Sequence, residues 1–158
     1  MRTFLDIYER AFARIHSRSV ELIGKTPAEK LFWKPREMPH SMQMFSCGEY
    51  VLRSAAAVEQ TFGGITTRLW DDPFEWTLPE KLFDNRAVLE YLAETEATRK
   101  KGFAFFRSDA DLQKQMPAPE QLKTIFEILL EAVQRAEHFQ GRADAIFQMF
   151  SDEKPPRL

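Results

Sequence analysis

Apolar residues return every three or four positions over residues 120–150: Leu122, Phe126, Leu129, Val133, Ala136, then Ala143, Phe147 and Phe150, with Gln140 on the same line. This alternation is the stripe of an amphipathic helix facing other helices, so the segment predicts one long helix. Gly141 is its one interruption, at a cost of about 1 kcal/mol against alanine in a helix interior. The same spacing predicts a first helix over 3–23, with Leu5, Tyr8, Phe12, Ile15, Ser19 and Leu22 inward and Gly24 as its stop. A second is predicted over 41–62, with Ser41 as N-cap and Gly63-Gly64 as its end. A third spans 84–102, capped by Asp84 or Asn85, with Val88, Tyr91 or Leu92, Thr95 and Arg99 inward.

The segments between are short and polar, with one exception. Thr26-Pro-Ala-Glu29 and Ser108-Asp-Ala-Asp111 predict capped turns, and Pro117-Ala-Pro119 is positioned to open the fourth helix. Residues 151–158 predict a frayed polar tail. The exception is the connection 63–83, which carries Trp70, Asp71, Asp72, Phe74, Trp76 and Pro79 and is long for a compact domain. Extended chain covers roughly 3.3 Å per residue and helix roughly 1.5 Å, so this link can return along a whole helix and leave its neighbours parallel. Four amphipathic helices and no segment that demands a sheet predict an all-α four-helix bundle, one domain over 1–150.

Composition narrows this picture. The 158 residues suit one domain with a real core. Fourteen Phe beside only six Gly, without runs of β-branched residues, favour a helical interior. A net charge of −2 gives no electrostatic case for a nucleic-acid or membrane-surface partner. The single cysteine, Cys47, fits a reducing compartment. Charge arrives too early at the N-terminus for a signal peptide, and no apolar run reaches membrane-spanning length. The expectation is a cytoplasmic chain.

Candidate chemistry is sparse. The three histidines, His16, His40 and His138, have no His, Asp or Glu four residues away on a shared helix face, the spacing that bundle metal sites favour. Cys47 reads as a small buried hydrophobe. Gly48 lies on the inward stripe of the second helix. It predicts either close helix packing or a cavity lined by Met44, Leu52 and the middle of the fourth helix. Gln140 and Glu59 are polar groups on apolar stripes and require partners across the bundle, with Arg99, Arg135 or Tyr50 in range. Asp71-Asp72 falls short of a cation-coordinating set.

The order of parts resembles the DinB-like (DinB/YfiT) bundle superfamily. Trp33-Lys34-Pro35 followed by Ser41 is similar to its Trp-x-Pro and Ser-initiated second helix. His138-Phe-Gln-Gly-Arg142 is similar to the end of its fourth helix, with Gly141 in the place of the family glycine. The resemblance implies four helices joined up-down-down-up with a long link between the second and third, and a homodimer. It also implies a divalent metal, such as zinc or nickel, held by one histidine on the second helix and two on the fourth. Counted from Ser41 and back from Gly141, those positions fall at Gly48, Arg135 and Phe139, none of which can ligate it.

The first functional expectation is therefore a bundle that has lost its metal triad and serves as a small-molecule-binding or dimeric interaction protein, with no cofactor. Its pocket would comprise Gly48, Glu49, Arg135, His138 and Phe139 and would take a small anionic ligand on Arg135. The alternative is a metal-dependent thiol S-transferase-like enzyme with a shifted site around Glu49 and His138, with Glu59 as a further group. A structural homodimer joined through the 63–83 segment is the third.

Overall fold

Helices begin where a side chain can hold the free N–H groups of a first turn. Ser46 does this. Its Oγ accepts from the Glu49 N–H at 3.2 Å, and Glu49 Oε2 accepts from the Ser46 N–H at 2.8 Å. The second long helix, α2, therefore runs Cys47–Thr67 and not from Ser41. Ser41 lies instead in an exposed turn and donates to the Met38 carbonyl at 2.8 Å. The computed structural model describes residues 1–73 and 81–157.

The first helix, α1, spans Thr3–Lys25, and every residue of its expected stripe is buried. Thr26 does not form the expected capping box. Its hydroxyl turns back to donate to Leu22 O at 2.7 Å, and only a 3-10 turn, Ala28–Lys30, follows. Gly63-Gly64 does not end α2 either, because the helix passes through both and stops at Arg68, which adopts a left-handed φ of 63°. Gly64 serves packing: a Cβ there would lie 2.3 Å from the Trp70 indole. α3 spans Asn85–Phe103, with Asp84 Oδ1 accepting from Ala87 N–H at 2.7 Å, and buries Val88, Tyr91, Leu92, Thr95 and Arg99 as expected.

The start of the last helix also departs from expectation. Residues 115–124 form an antiparallel hairpin, β1 Gln115–Ala118 and β2 Gln121–Thr124, with Pro117 opposite Leu122. Leu122 is consequently exposed rather than part of a helical stripe. Thr124 and Glu127 form a second reciprocal capping box, and α4 runs Ile125–Phe150. The expected turn near Ser108 does form, as a 3-10 segment Asp109–Gln113, with the Asp111 carboxylate accepting from the Arg107 and Ser108 N–H groups.

Cross-helix contacts give the directions. Between α1 and α4 they ascend together, from Tyr8 with Phe126 to Ile15 and Ser19 with Gln140. Between α2 and α4 they oppose, Tyr50 meeting Phe139 and Gln60 meeting Arg135. Glu59 meets Tyr91 and Phe62 meets Phe103, so α2 and α3 run parallel. Thus α1 and α4 point one way and α2 and α3 the other. In the 68–84 connection Trp70 packs back onto α2; Phe74, Trp76 and Pro79, singled out above, lie outside the described residues.

The interior has two apolar clusters. One gathers Phe12, Phe62, Phe103 and Phe106 in edge-on contacts of 5.3–5.9 Å, with a tilted Phe62–Phe103 pair at 5.4 Å. The other gathers Leu22, Tyr50, Leu52, Leu92 and Phe147. Arg18, 6% exposed, ties α1 to α4 by donating to Glu137 at 2.9 Å and Asp144 at 3.1 Å. In the tail, Lys154 O accepts from Lys25 Nζ at 3.2 Å and Pro156 is buried, while residues 152–154 are exposed. No helix among the described residues is long and apolar enough to cross a membrane.

Candidate functional site

The five residues expected to share a pocket occupy three places. Gly48 falls in the first turn of α2, where its N–H donates to Leu31 O at 2.8 Å. A Cβ on it would lie 2.7 Å from that same oxygen and 3.0 Å from Leu31 Cδ1 and Phe32 Cε1. The glycine is there for close approach, and the cavity expected beside it has no room at that point. Glu49 is engaged in the Ser46 box, with Oε1 3.6 Å from Lys34 Nζ. Phe139 stacks on Tyr50 at 6.5 Å, and Arg142 donates to His138 Nε2 at 3.0 Å. Arg135 lies further along the bundle, with Nη1 donating to Gln60 Oε1 at 3.1 Å. Gln60 is eleven residues beyond Glu49 on α2, about 16 Å at 1.5 Å per residue.

The observed cap also moves the count that placed a metal position on α2. Gly48 is seven residues beyond Ser41; seven beyond Ser46 is Arg53. Arg53 lies with its guanidinium 4.0 Å over the Phe45 ring. Arg53, Arg135 and Phe139 offer no donor set that fits a divalent cation. No hydrogen bond or ion pair joins Glu49 to His138 among the described residues, and no three His, Cys, Asp or Glu side chains converge there.

Arg135 lines a real cavity, of about 220 Å³, walled by α2, the loop carrying Trp70, the hairpin and the first turns of α4. Each wall has a local cause. Trp70 is drawn onto α2 by the bare backbone at Gly64, and Gln60 Nε2 donates to its carbonyl at 3.0 Å. The hairpin is pinned to α4 by Ile125 N–H donating to Lys114 O at 2.9 Å, which places Ala118, Pro119 and Lys123 at the rim. On α4, Ile128, Glu131, Ala132 and Arg135 recur at helical spacing and form the facing wall.

The electrostatics of this cavity are asymmetric. Lys123 Nζ is neutralised by both oxygens of Glu131, at 2.8 and 2.7 Å. Arg135 has no carboxylate partner among the described residues; the Gln60 amide oxygen holds it in place without cancelling its charge. Arg135 therefore gives the cavity a cationic side, while the lining also carries the Glu120 carboxylate and the Gln121 amide beside the apolar Trp70, Ile128 and Ala132. A planar guanidinium with most of its donors unused suits a carboxylate or similar oxyanion.

The remaining titratable groups are structural. Burial pushes the Cys47 thiol up to about 12, against the nucleophile role. Glu59 accepts from Tyr91 Oη at 2.5 Å, and burial followed by this carboxylate raises the Tyr91 phenol. Gln140 donates to Ile15 O at 2.7 Å and Ser19 Oγ at 2.8 Å, so neither polar group found the arginine or Tyr50 partners expected for it. Burial lowers His16 below its ordinary value, opposed by nearby Glu96 and reinforced by Arg99 and Lys100. Gln60, Trp70, Lys123 and Glu131 of the cavity were not singled out by sequence as ligand groups, and no local motif marks them. Comparison with family models, with curated proteins and with solved structures finds no match to this chain.

Proposed function

We propose that this chain is a DinB-like helical protein that binds a small anionic molecule, without a metal, in the cavity beside Arg135. The observation that carries the reading is the guanidinium of Arg135, on the wall of a cavity of mixed polar and apolar lining, held by a neutral amide and without a carboxylate partner among the described residues. Two further observations support it. Two helices run each way with a long link between α2 and α3, the order that the resemblance implies. The positions corresponding to the family's metal ligands carry cationic and aromatic side chains, so a metal-dependent thiol transfer has no donor set to work from. Glu49 is occupied by its helix cap and His138 by Arg142, which weighs against the shifted site of the alternative reading.

The experiment is a titration with small carboxylates in the presence of chelator, comparing the natural protein with Arg135→Ala. Binding that survives chelation and weakens at least tenfold in the variant supports the reading. Equal affinity in the two proteins contradicts it.

A dimeric role has its own observation. Phe4 and Ile7 on α1 and Leu130 on α4 are exposed, and Phe4 packs edge-on to Phe126 at 6.4 Å, so the four form an apolar strip across two helices. Light scattering across a hundredfold range of concentration, repeated with Ile7→Lys, tests it; a monomeric mass throughout removes this reading.

A further inference from the structure

The cavity constrains more of its occupant than charge. Its volume, about 220 Å³, lies below the roughly 300–1,000 Å³ of sites that hold drug-sized ligands. The occupant is correspondingly small. The half-buried Trp70 indole lines the same cavity, with its ring against the Gly64 backbone and its carbonyl accepting from the Gln60 amide. Gln60 bonds Trp70 with one end of its amide and Arg135 with the other. The backbone that carries the ring and the cation are thereby linked through one side chain before anything binds. Small or compact apolar side chains, Ala118, Pro119 and Ala132, with Ile128, contribute to the lining, and of its two carboxylates Glu131 is paired with Lys123. Glu120, at the exposed hairpin turn, also lines the cavity.

Resting on the reading that Arg135 binds an anion, we propose that the occupant is a single-ring aromatic carboxylate, its ring against Trp70 and its carboxylate on Arg135. An aromatic ring gains from the indole beyond the area it buries, whereas a saturated ring of equal size gains only the burial. Gln60 is a positioning residue, since it orients both contacts and meets the ligand through neither.

The test uses the full chain and four probes: benzoate, benzamide, cyclohexanecarboxylate and acetate. Binding is read from the indole N–H resonance of Trp70, assigned with Trp70→Phe, and from titration calorimetry. Benzoate is expected to bind roughly three- to tenfold more tightly than cyclohexanecarboxylate, a preference that Trp70→Leu abolishes. Acetate is expected to be weaker still. If the two ring acids bind equally at the cavity, the aromatic assignment is wrong while the anion site stands. If benzamide equals benzoate, the anion reading itself falls. If no probe binds at millimolar concentration, both fall. The ligand series decides even if the Trp70→Leu protein does not fold.

Discussion

Arg135 and Gln60, 75 residues apart in sequence, meet across α4 and α2 at 3.1 Å, and the other end of the same glutamine holds the Trp70 carbonyl at 3.0 Å. A neutral partner orients the guanidinium and leaves its charge to a ligand. Gln60→Glu changes that with almost no change of shape. A carboxylate at this place pairs with Arg135 and competes with any bound anion. The expected result is a loss of about tenfold or more in benzoate affinity, with a lowered thermal midpoint because the Trp70 carbonyl loses its donor. Unchanged affinity means that Arg135 is not the anchor.

Two glycines make opposite predictions. Gly48→Ala places a Cβ 2.7 Å from a backbone oxygen, so the loop at Leu31 must yield, and a loss of about 1–3 kcal/mol is expected in urea unfolding. Gly141→Ala meets nothing within 4 Å in the interior of α4, and a gain of about 0.5–1 kcal/mol is expected. Equal midpoints for the two variants contradict the account of Gly48 as a close-approach position.

His16 gives the pH dependence. Burial lowers its folded-state value below the ordinary 6.5, with Glu96, Arg99 and Lys100 of α3 as the charged groups around it. The unfolded chain therefore takes up a proton first. The stability linked to His16 is fully present above about pH 6.5, falls as pH drops through and below that value, and levels off once the folded protein also protonates. His16→Gln flattens this part of a stability profile; a profile identical to that of the natural protein contradicts the assignment.

Cys47 is predicted to be inert. With its thiol buried and pushed up to about 12, a thiol-directed reagent at pH 8 labels the protein only as fast as it opens. Labelling rates that rise with denaturant support this. Prompt stoichiometric labelling of the native protein contradicts it.

Much of the helical layout was legible because the periodic stripes of α1, α3 and α4 are long and each buried position repeats within a helical turn. The boundaries were less so. Ser41 and Ser46 are both serines ahead of an apolar stripe, but only Ser46 has a glutamate three residues on, and the reciprocal Ser46–Glu49 bonds decide the start of α2. The same signature, Thr124 with Glu127, was present at α4 and outweighs Pro117-Ala-Pro119 as the opening. Gly64 reads as a helix stop until Trp70 is seen lying on it. Arg135 was named from the sequence as a pocket residue, whereas Trp70 was named only as an aromatic of the 63–83 connection and Gln60 and Lys123 not at all. Gln60, Trp70 and Lys123 come from a half-buried helix position, a loop and a hairpin, and only folding brings them to one cavity.

The central claim is a metal-independent anion site at Arg135, and the most direct measurement is an amide-resonance titration with benzoate in excess chelator. The account predicts saturable shifts confined to residues 60–61, 70 and 118–135, lost in Arg135→Gln at unchanged fold. Shifts that vanish on chelation, or that centre on Gly48, Glu49 and His138, would contradict it.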